Sequence, residues 1–231
     1  MEGIQFLRSL QRNNNREYFQ KHKGIYEEYV QAPMGNLIAA LAEDFQDFAP
    51  ETVATPKVSA YRIYRDTRFS KDKSPYKTHA AAIFPPAGMG KHEGASYYLH
   101  VSPSDVFIGG GLYMPEPENL NSVRHAIADN FDEFVKIVTS RKFRSVLGEV
   151  GGESLSRVPR GFSPDHPAAK YLKHRQFLAG RRLPPAEATA TSFYRTILET
   201  FRVMYPFIRF LNEPIMKTRK LRERQEALLR V

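Results

Sequence analysis

Between Val58 and Tyr113 the apolar residues fall in short runs rather than at helical spacing. Four of these runs are candidate strands, and their sequences are VSAYRIY, AAIF, SYYLHV and DVFIGGGLY. The segments that separate them, SKDKSP, PPAGMGKHEG and SPSD, are rich in turn residues. Such short gaps suit antiparallel hairpins better than parallel crossovers. The region therefore predicts an antiparallel sheet.

Apolar residues at helical spacing come before this region. Asn14 followed by Glu17 is the pattern of a capping box that opens a second helix, and Pro33 suits the first turn of a third. The apolar stripe of the third helix is Met34, Leu37, Ile38, Leu41 and Phe45. The first fifty residues are therefore predicted to be helical.

Helical spacing returns after the predicted sheet. Asn130 with Glu133 is a second candidate capping box, and Gly148 suits a helix C-terminus. Residues 150–185 are mixed and rich in Pro and Gly. The last long helix has an apolar stripe at Phe193, Ile197, Phe201, Met204, Ile208 and Leu211.

Helices at both ends with an antiparallel sheet between them predict an α+β fold. Its central antiparallel sheet is flanked by N-terminal helices and a long C-terminal helix, which we expect to bend near Pro206. There is no internal repeat, low-complexity tract or Gly/Ser linker, so one domain over residues 1–231 is the simplest organisation. Within it, a helical segment (1–50) precedes a strand-rich core (57–114) and a mainly helical remainder (116–231).

Composition removes several classes of function. The chain has no cysteine, which excludes structural disulfides, thiolate catalysis and cysteine-ligated zinc. Asp165 and His166 lack the HxH, HxxxH or HExxH spacing that would supply further metal ligands, so we expect no metal and no cofactor. The amino terminus lacks the pattern of a secretion signal, and no apolar run is long enough to cross a bilayer. We therefore expect a cytoplasmic protein without a membrane partner.

The net charge of the chain is +9. A basic surface attracts nucleic acid, acidic membranes and small phosphates alike, so the charge by itself does not choose among these partners.

The segment RIYRDTRFSKDKSPYK, residues 62–77, carries six cationic side chains within sixteen residues. Arginine presents a planar fork of donors that matches phosphate or carboxylate, and lysine adds a point charge. Cations of this kind converge only when something negative lies among them. We therefore predict binding of a small anionic ligand that bears phosphate or carboxylate, and whether a reaction follows is left open. The predicted anion-binding residues are Arg62, Arg65, Arg68, Lys73 and Lys77.

Acidic and aromatic residues accompany these cations in the segment, which we call the central motif. Aspartates can orient guanidinium groups, and aromatic rings can form pocket walls or stacking planes. The candidates for these roles are Asp66, Asp72, Tyr64, Phe69 and Tyr76. A strand that runs into an ordered loop is favoured, because Pro75 disfavours helix at Ser74, whereas a helical turn would bring the three arginines together.

Two other interpretations of the central motif stay open. The charged residues can form a structural ion-pair network that ties the sheet to a helix. Alternatively, interleaved cations and aromatic residues suit single-stranded nucleic acid, although no recognised nucleic-acid motif is present and two aspartates lie within the segment.

Two features outside the central motif are further candidates. His100 alternates with apolar neighbours in YYLHV; it is either a structural group or, in a pocket with Asp66 or Arg65, a general acid or base. A run of three glycines indicates either a bulge or close approach of another backbone, or bare amides that contact the same anion. These glycines are Gly109, Gly110 and Gly111.

The central motif resembles the signature of domain-of-unknown-function family 2461, a conserved hypothetical family of bacteria with fungal relatives. Further stretches resemble the family in the same order: FLRSLQRNNNREYF (Phe6–Phe19), YYLHV (Tyr97–Val101), GGGLYMP (Gly109–Pro115) and PRGFSPDHPAAKYLK (Pro159–Lys173). Tyr18 stands where the family usually has Trp. The resemblance implies no activity, and the motif positions it implies are Arg62, Arg65, Asp66, Arg68, Phe69, Asp72, Lys73 and Tyr76.

Overall fold

The computed structural model describes residues 1–229 and has the predicted α+β fold, with one four-stranded antiparallel sheet and a long C-terminal helix. The sheet comprises β1 (Ala80–Phe84), β2 (Ser96–Val101), β3 (Val106–Leu112) and β4 (Phe177–Leu183), hydrogen-bonded in that order. The helices before it are α1 (Glu2–Arg12), α2 (Arg16–Lys21), α3 (Lys23–Tyr26), a π-helix (Glu27–Gln31), α4 (Ala32–Phe48) and α5 (Pro56–Ser59). The later helices are α6 (Pro117–Asp129), α7 (Phe131–Val138), α8 (Arg141–Leu147), α9 (Ala169–Leu172), a 3-10 helix (Pro185–Thr189) and α10 (Phe193–Leu229).

One expectation about strands was wrong. The run VSAYRIY is not a strand, because Thr55 caps the short helix α5 and accepts a hydrogen bond from the N–H of Val58 at 3.3 Å. After α5, this run contains only isolated bridges at Ala60 and Tyr64. The fourth strand, β4, lies within the mixed stretch 150–185, where the sequence did not identify a strand.

The helix caps follow the sequence signals in part. Pro33 lies in the first turn of α4, and Gly148 ends α8 with φ +74°, both as predicted. The first predicted capping box was wrong, because Asn15 is the N-cap of α2 and accepts from the N–H of Tyr18 at 2.9 Å. Asn130 is the N-cap of α7, as predicted, but its side chain makes no capping hydrogen bond and instead donates back to the Ala126 carbonyl in α6 at 3.1 Å.

The chain forms two compact units. Unit 1 comprises Met1–Phe84, Tyr98–Ile108 and Arg181–Glu199, and unit 2 comprises Pro85–Tyr97, Gly109–Gly180 and Thr200–Val231. The boundary falls within strands β2, β3 and β4, which explains why the sequence shows no linker. Organisation as one domain stays a prediction.

Each unit has its own apolar core. In unit 1 a cluster of buried side chains joins the first helices to the central motif: Phe6, Leu7, Leu10, Phe19, Val30, Ile63 and Tyr76. In unit 2 the ring of Phe134 lies 5.0 Å from Tyr171 and 5.2 Å from Phe210, and Phe143 lies 5.6 Å from Phe207. Burial of rings of this size supplies much of the stability of such cores.

The long helix α10 contains Pro206 and Pro214, and the bend expected near Pro206 stays a prediction. Among the residues described, no helix combines the length and the apolar character needed to cross a membrane.

Candidate functional site

The central motif forms a short two-armed ribbon closed by a loop. The contacts between its arms are the N–H of Arg65 to the Pro75 carbonyl (2.9 Å), the N–H of Lys77 to the Ile63 carbonyl (2.7 Å) and a bridge between Tyr64 and Tyr76. Residues 65–75 between these arms have no regular secondary structure. The segment is therefore an ordered loop, and it contains no helical turn.

The second arm is fixed to the first helices of unit 1. The side-chain amide of Asn14 donates to the Tyr76 carbonyl at 2.9 Å, and its oxygen accepts from the Tyr76 N–H at 3.1 Å. Tyr76 is 2% exposed and stacks on Phe19, with ring centroids 4.2 Å apart. Asn14, which resembled a helix cap in the sequence, therefore serves as a backbone partner for the motif.

Arg65 is held inside the loop by several acceptors. Its Nη1 pairs with Asp72 and also lies 3.4 Å from the Ser74 carbonyl, while Nη2 lies 3.4 Å from Ser70 Oγ. The carboxylate of Asp72 accepts from the hydroxyl of Ser74 at 2.6 Å and from its N–H at 2.9 Å. The Ser74 hydroxyl, then its N–H, and then Arg65 lower the pKa of Asp72 to about 2.

Replacing Ser74 by alanine is expected to raise the pKa of Asp72 part of the way from about 2 toward 3.8, because the hydroxyl is its strongest hydrogen-bond donor. The pKa of Asp72 is lower in the folded protein than its ordinary value of 3.8. Ionised Asp72 therefore stabilises the loop fully at pH values above 3.8, and this stabilisation is lost as the pH falls toward 2. Carboxyl ¹³C NMR titration would measure the shift. Ser70→Ala is the control, since Ser70 contacts Arg65 but not Asp72, and an equal shift in both variants would contradict the assignment.

Arg68 is also paired within the motif. Its Nε and Nη2 donate to the two oxygens of Asp66 at 3.0 and 2.8 Å, and its N–H donates to the same carboxylate at 3.2 Å. This pair is solvent-exposed, and the Arg68 side chain, followed by its N–H, lowers the pKa of Asp66 to about 2. Lys73 donates to the Thr67 carbonyl at 2.9 Å, which closes the loop.

The three arginines therefore differ in what they offer a ligand. Arg65 pairs with Asp72 and Arg68 pairs with Asp66. The role of these aspartates in orienting the arginines for a ligand stays a prediction. The exposed side chain of Arg62, by contrast, makes no hydrogen bond or ion pair with the described residues. Lys77 is half-buried with its ammonium 4.8 Å from the ring centroid of Tyr61. Anion binding by the five predicted cations stays a prediction, and the geometry points first to Arg62.

A cleft of about 370 Å³ lies beside Arg62 in unit 1. Aromatic rings form its walls, and the α3–π-helix segment supplies polar residues. Its lining residues are Phe19, Lys23, Tyr26, Glu27, Gln31, Ala60, Tyr61, Arg62, Ile63 and Tyr64. Lys23 and Glu27 form an ion pair at 3.2 Å, and the π-helix that carries Glu27 and Gln31 is a feature frequent at functional sites. We call this the Arg62 cleft.

Phe69 lies in the loop of the motif and is 94% exposed. The guanidinium carbon of Arg68 lies 5.7 Å from the centroid of its ring. A single exposed ring is common on protein surfaces, but a ring beside a guanidinium offers a plane on which a planar group can stack.

His100 contacts residues other than the central motif. Its Nε2 lies 3.3 Å from Asp105, and its ring lies 5.6 Å from His79 and 5.9 Å from Phe107. Ser102, then His100, and then Arg182 lower the pKa of Asp105 to about 2. The pocket shared with Asp66 or Arg65 that a catalytic role requires stays a prediction, and the contacts observed are those of a structural group.

Close approach of other backbone accounts for two of the three glycines of β3. A Cβ at Gly110 would overlap the carbonyl oxygen of Ser96, and one at Gly111 would overlap that of Phe177. Gly111 also has φ +124°. The alternative for Gly109, Gly110 and Gly111, in which their amides contact an anion, stays a prediction.

The sequence did not identify the helical side of the Arg62 cleft. Lys23 and Glu27 are one helical turn apart, so they share a face, but a solvated face has the same spacing. Nothing in the sequence distinguishes the two cases. Among the residues that the structure describes, no group of His, Asp and Glu side chains is placed to hold a metal ion.

Comparison with known proteins gives one match. The family model described as conserved hypothetical protein (DUF2461) matches residues 2–210. No curated protein matches the chain, and no solved structure matches it. The match covers most of the chain, including all of the central motif, so the chain belongs to the DUF2461 family of conserved hypothetical proteins.

Proposed function

We propose that the protein binds an anionic ligand in the Arg62 cleft, with Arg62 as the residue that contacts the phosphate or carboxylate. The observation that carries this proposal is that Arg62 lines an aromatic cleft and has no carboxylate bonded to it among the described residues. The nearby Asp66 is already bonded to Arg68 through both oxygens. The guanidinium of Arg62 therefore keeps its donors available for an external acceptor.

The charges of the cleft favour a ligand with one acidic group. Lys23 and Glu27 are paired and largely cancel, which leaves Arg62 as the net positive charge. Burial, together with Tyr64 and Glu27, raises the pKa of Tyr26, so this hydroxyl keeps its proton and can donate a hydrogen bond to an anion. Both interactions are charge-assisted and favour the ionised form of the ligand.

The walls of the cleft favour a ligand with a planar or apolar body. Tyr26 and Tyr64 pack around Phe19, with centroid distances of 5.4 and 6.2 Å. Rings arranged in this way bury an aromatic body better than a hydrated sugar. The substrate class that fits is therefore an aryl phosphate or aryl carboxylate.

Phenyl phosphate and benzoate are expected to bind wild-type protein more tightly than acetate or benzyl alcohol, because only the first two satisfy the charge and the walls together. Arg62→Gln is expected to weaken phenyl phosphate binding by about 10- to 100-fold, the effect of losing a hydrogen bond to a charged group. Isothermal titration calorimetry measures both comparisons. Arg8→Gln, an exposed arginine of α1 in the same unit, is the matched control.

Equal affinity of wild type and Arg62→Gln, with the fold retained, would refute the proposal. The motif would then be a structural ion-pair network, a role that the pairs of Arg65 with Asp72 and Arg68 with Asp66 already support.

Single-stranded nucleic acid is a second candidate partner, favoured by the exposed ring of Phe69 beside Arg68. Aromatic stacking contributes about 1–3 kcal/mol per base, and phosphate contacts make binding strongly salt-dependent. Fluorescence anisotropy with a labelled oligonucleotide would show loss of binding in Phe69→Ala and a steep decrease with salt. No binding at low salt would eliminate this candidate.

A further inference from the structure

Unit 2 contains a buried arginine with unused hydrogen-bonding capacity. Arg124 of α6 is 8% exposed, and its Nη2 donates to the carbonyl of His174 at 2.8 Å. Its Nε is buried and has no acceptor among the residues that the structure describes. Burying a guanidinium N–H without a hydrogen-bond acceptor costs free energy. Such a group in a folded protein therefore needs a specific explanation.

No acidic side chain compensates the charge of Arg124 within the described part of the chain. Its one direct partner there is the neutral carbonyl of His174. Burial and the positive charge of Arg175 both lower the pKa of Arg124. Glu153, the acid that lies close to Arg175, pairs with that residue at 3.5 Å and is exposed. A buried cation beside a second cation is unfavourable unless a negative group joins it.

His174, the residue whose carbonyl Arg124 contacts, has a second unused nitrogen. It is 7% exposed, its Nδ1 lies 2.9 Å from the hydroxyl of Ser154, and its Nε2 is buried without a partner among the described residues. When the Ser154 hydroxyl donates to Nδ1, the ring hydrogen lies on Nε2, which then is a donor. In that tautomer Arg124 and His174 offer a ligand two buried donors.

We propose that Arg124 and His174 form a binding site for a doubly charged oxyanion of the phosphate or sulfate type. One such group accepts from Arg124 Nε and His174 Nε2 and neutralises the buried guanidinium. Two charges are favoured over one because the group meets both the guanidinium of Arg124 and a protonated imidazole of His174. Lys170 and Arg175 add little, since they pair with Glu149 at 3.4 Å and with Glu153 at 3.5 Å.

This site is independent of the function proposed above. It is built from α6, the turn after α9 and the segment around Ser154, which pairs with His174 as an isolated bridge. It shares no residue with the Arg62 cleft, and all its residues belong to unit 2. Loss of one site is therefore expected to leave binding at the other unchanged.

Protonation of His174 provides the readout. Burial, then Lys170 and Arg124, lower its pKa in the ligand-free protein. The ring also faces the rings of Tyr171 and Phe177. A bound dianion stabilises the imidazolium, so it raises the pKa of His174. By linkage, sulfate binds more tightly below the pKa of His174 than above it. The difference is about tenfold for each unit by which bound sulfate raises that pKa.

The test is a ¹H–¹³C NMR titration of the histidine rings of the full chain with sodium sulfate, whose own charge is constant over the histidine range of about pH 5 to 8. The His174 resonance, identified by its loss in His174→Gln, is expected to shift saturably and to titrate at higher pH with sulfate. Phosphate should act likewise, and sodium chloride at equal ionic strength should not. Arg124→Met is expected to weaken sulfate binding by about 10- to 100-fold.

Arg144→Met, an exposed arginine of α8 in the same unit, is the matched control and should bind sulfate like wild type. The proposal is overturned if sulfate leaves the wild-type His174 resonance unmoved, which is the result expected when a water molecule satisfies the two nitrogens. It is also overturned if chloride reproduces the shift. These wild-type measurements decide the question even where Arg124→Met does not fold.

Discussion

Gly111→Ala is expected to destabilise the protein by about 3 kcal/mol or more, because it combines backbone strain with a backbone overlap. Gly111 has φ +124°, which side chains rarely adopt. Its added Cβ would lie 3.0 Å from the carbonyl carbon of Phe177 and still closer to the oxygen. The atoms in the way belong to the backbone of β4, so relief requires moving the strand. Urea denaturation measures the loss, which is a large part of the total stability of a typical domain.

Substitutions at two other glycines allow the cost of backbone strain to be measured apart from the cost of backbone overlap. Gly148 has φ +74° and ψ −138°, a conformation found almost only for glycine, but open space around it. Gly148→Ala is therefore expected to cost about 1–3 kcal/mol from strain alone. Gly24 has open space in α3 and no positive φ, so Gly24→Ala is expected to stabilise the protein by about 0.5–1 kcal/mol. If Gly111→Ala cost no more than Gly148→Ala, close packing of β3 on β4 would not explain the glycine.

Much of the fold was predictable because hydrophobic periodicity reports burial directly. The stripe Met34, Ile38, Leu41 and Phe45 is buried on α4, as the 3.6-residue period indicated. Strands β1, β2 and β3 were recognised from short apolar runs between turns. Their short connections also gave the antiparallel arrangement.

The errors have local physical causes. Strand β4 has the sequence FLAGRRL, in which a glycine and two arginines interrupt the apolar run, so its pairing along the sheet is not visible in its composition. In the run from Val58, two local signals compete. Its β-branched and aromatic residues favour a strand, but Thr55 and Pro56 carry the signal of a helix start, and the helix forms.

The site was less predictable than the fold, because long-range pairing decides what each charged residue offers. Repeated arginines are visible in the sequence, but the partners of Arg65 and Arg68 depend on how the loop closes. The role of Asn14 depends on Tyr76, which lies 62 positions away along the chain. The unused donors of Arg124 and His174 could not be found without coordinates, since neither residue belongs to a sequence motif.

Phe19→Ala is expected to destabilise the protein by about 3–5 kcal/mol and also to weaken ligand binding in the Arg62 cleft. Phe19 is fully buried, stacks on Tyr76 and packs against Tyr26 and Tyr64. Removing the ring leaves a cavity under two walls of the cleft and under the second arm of the motif. Amide hydrogen exchange at Arg65 and Lys77, whose N–H groups join the two arms, should therefore accelerate more than elsewhere in unit 1.

Phe143→Ala in unit 2 is the matched control, because Phe143 is equally buried and packs on Phe207. It is expected to lose a similar free energy of unfolding but to bind phenyl phosphate with wild-type affinity per folded molecule. Wild-type affinity in Phe19→Ala as well would show that the aromatic walls do not hold the ligand. Because Arg62 is unchanged in Phe19→Ala, that result would mean that the charge of Arg62 alone recognises the ligand. If affinity falls in Phe19→Ala but not in Phe143→Ala, the first helices and the motif form the cleft together.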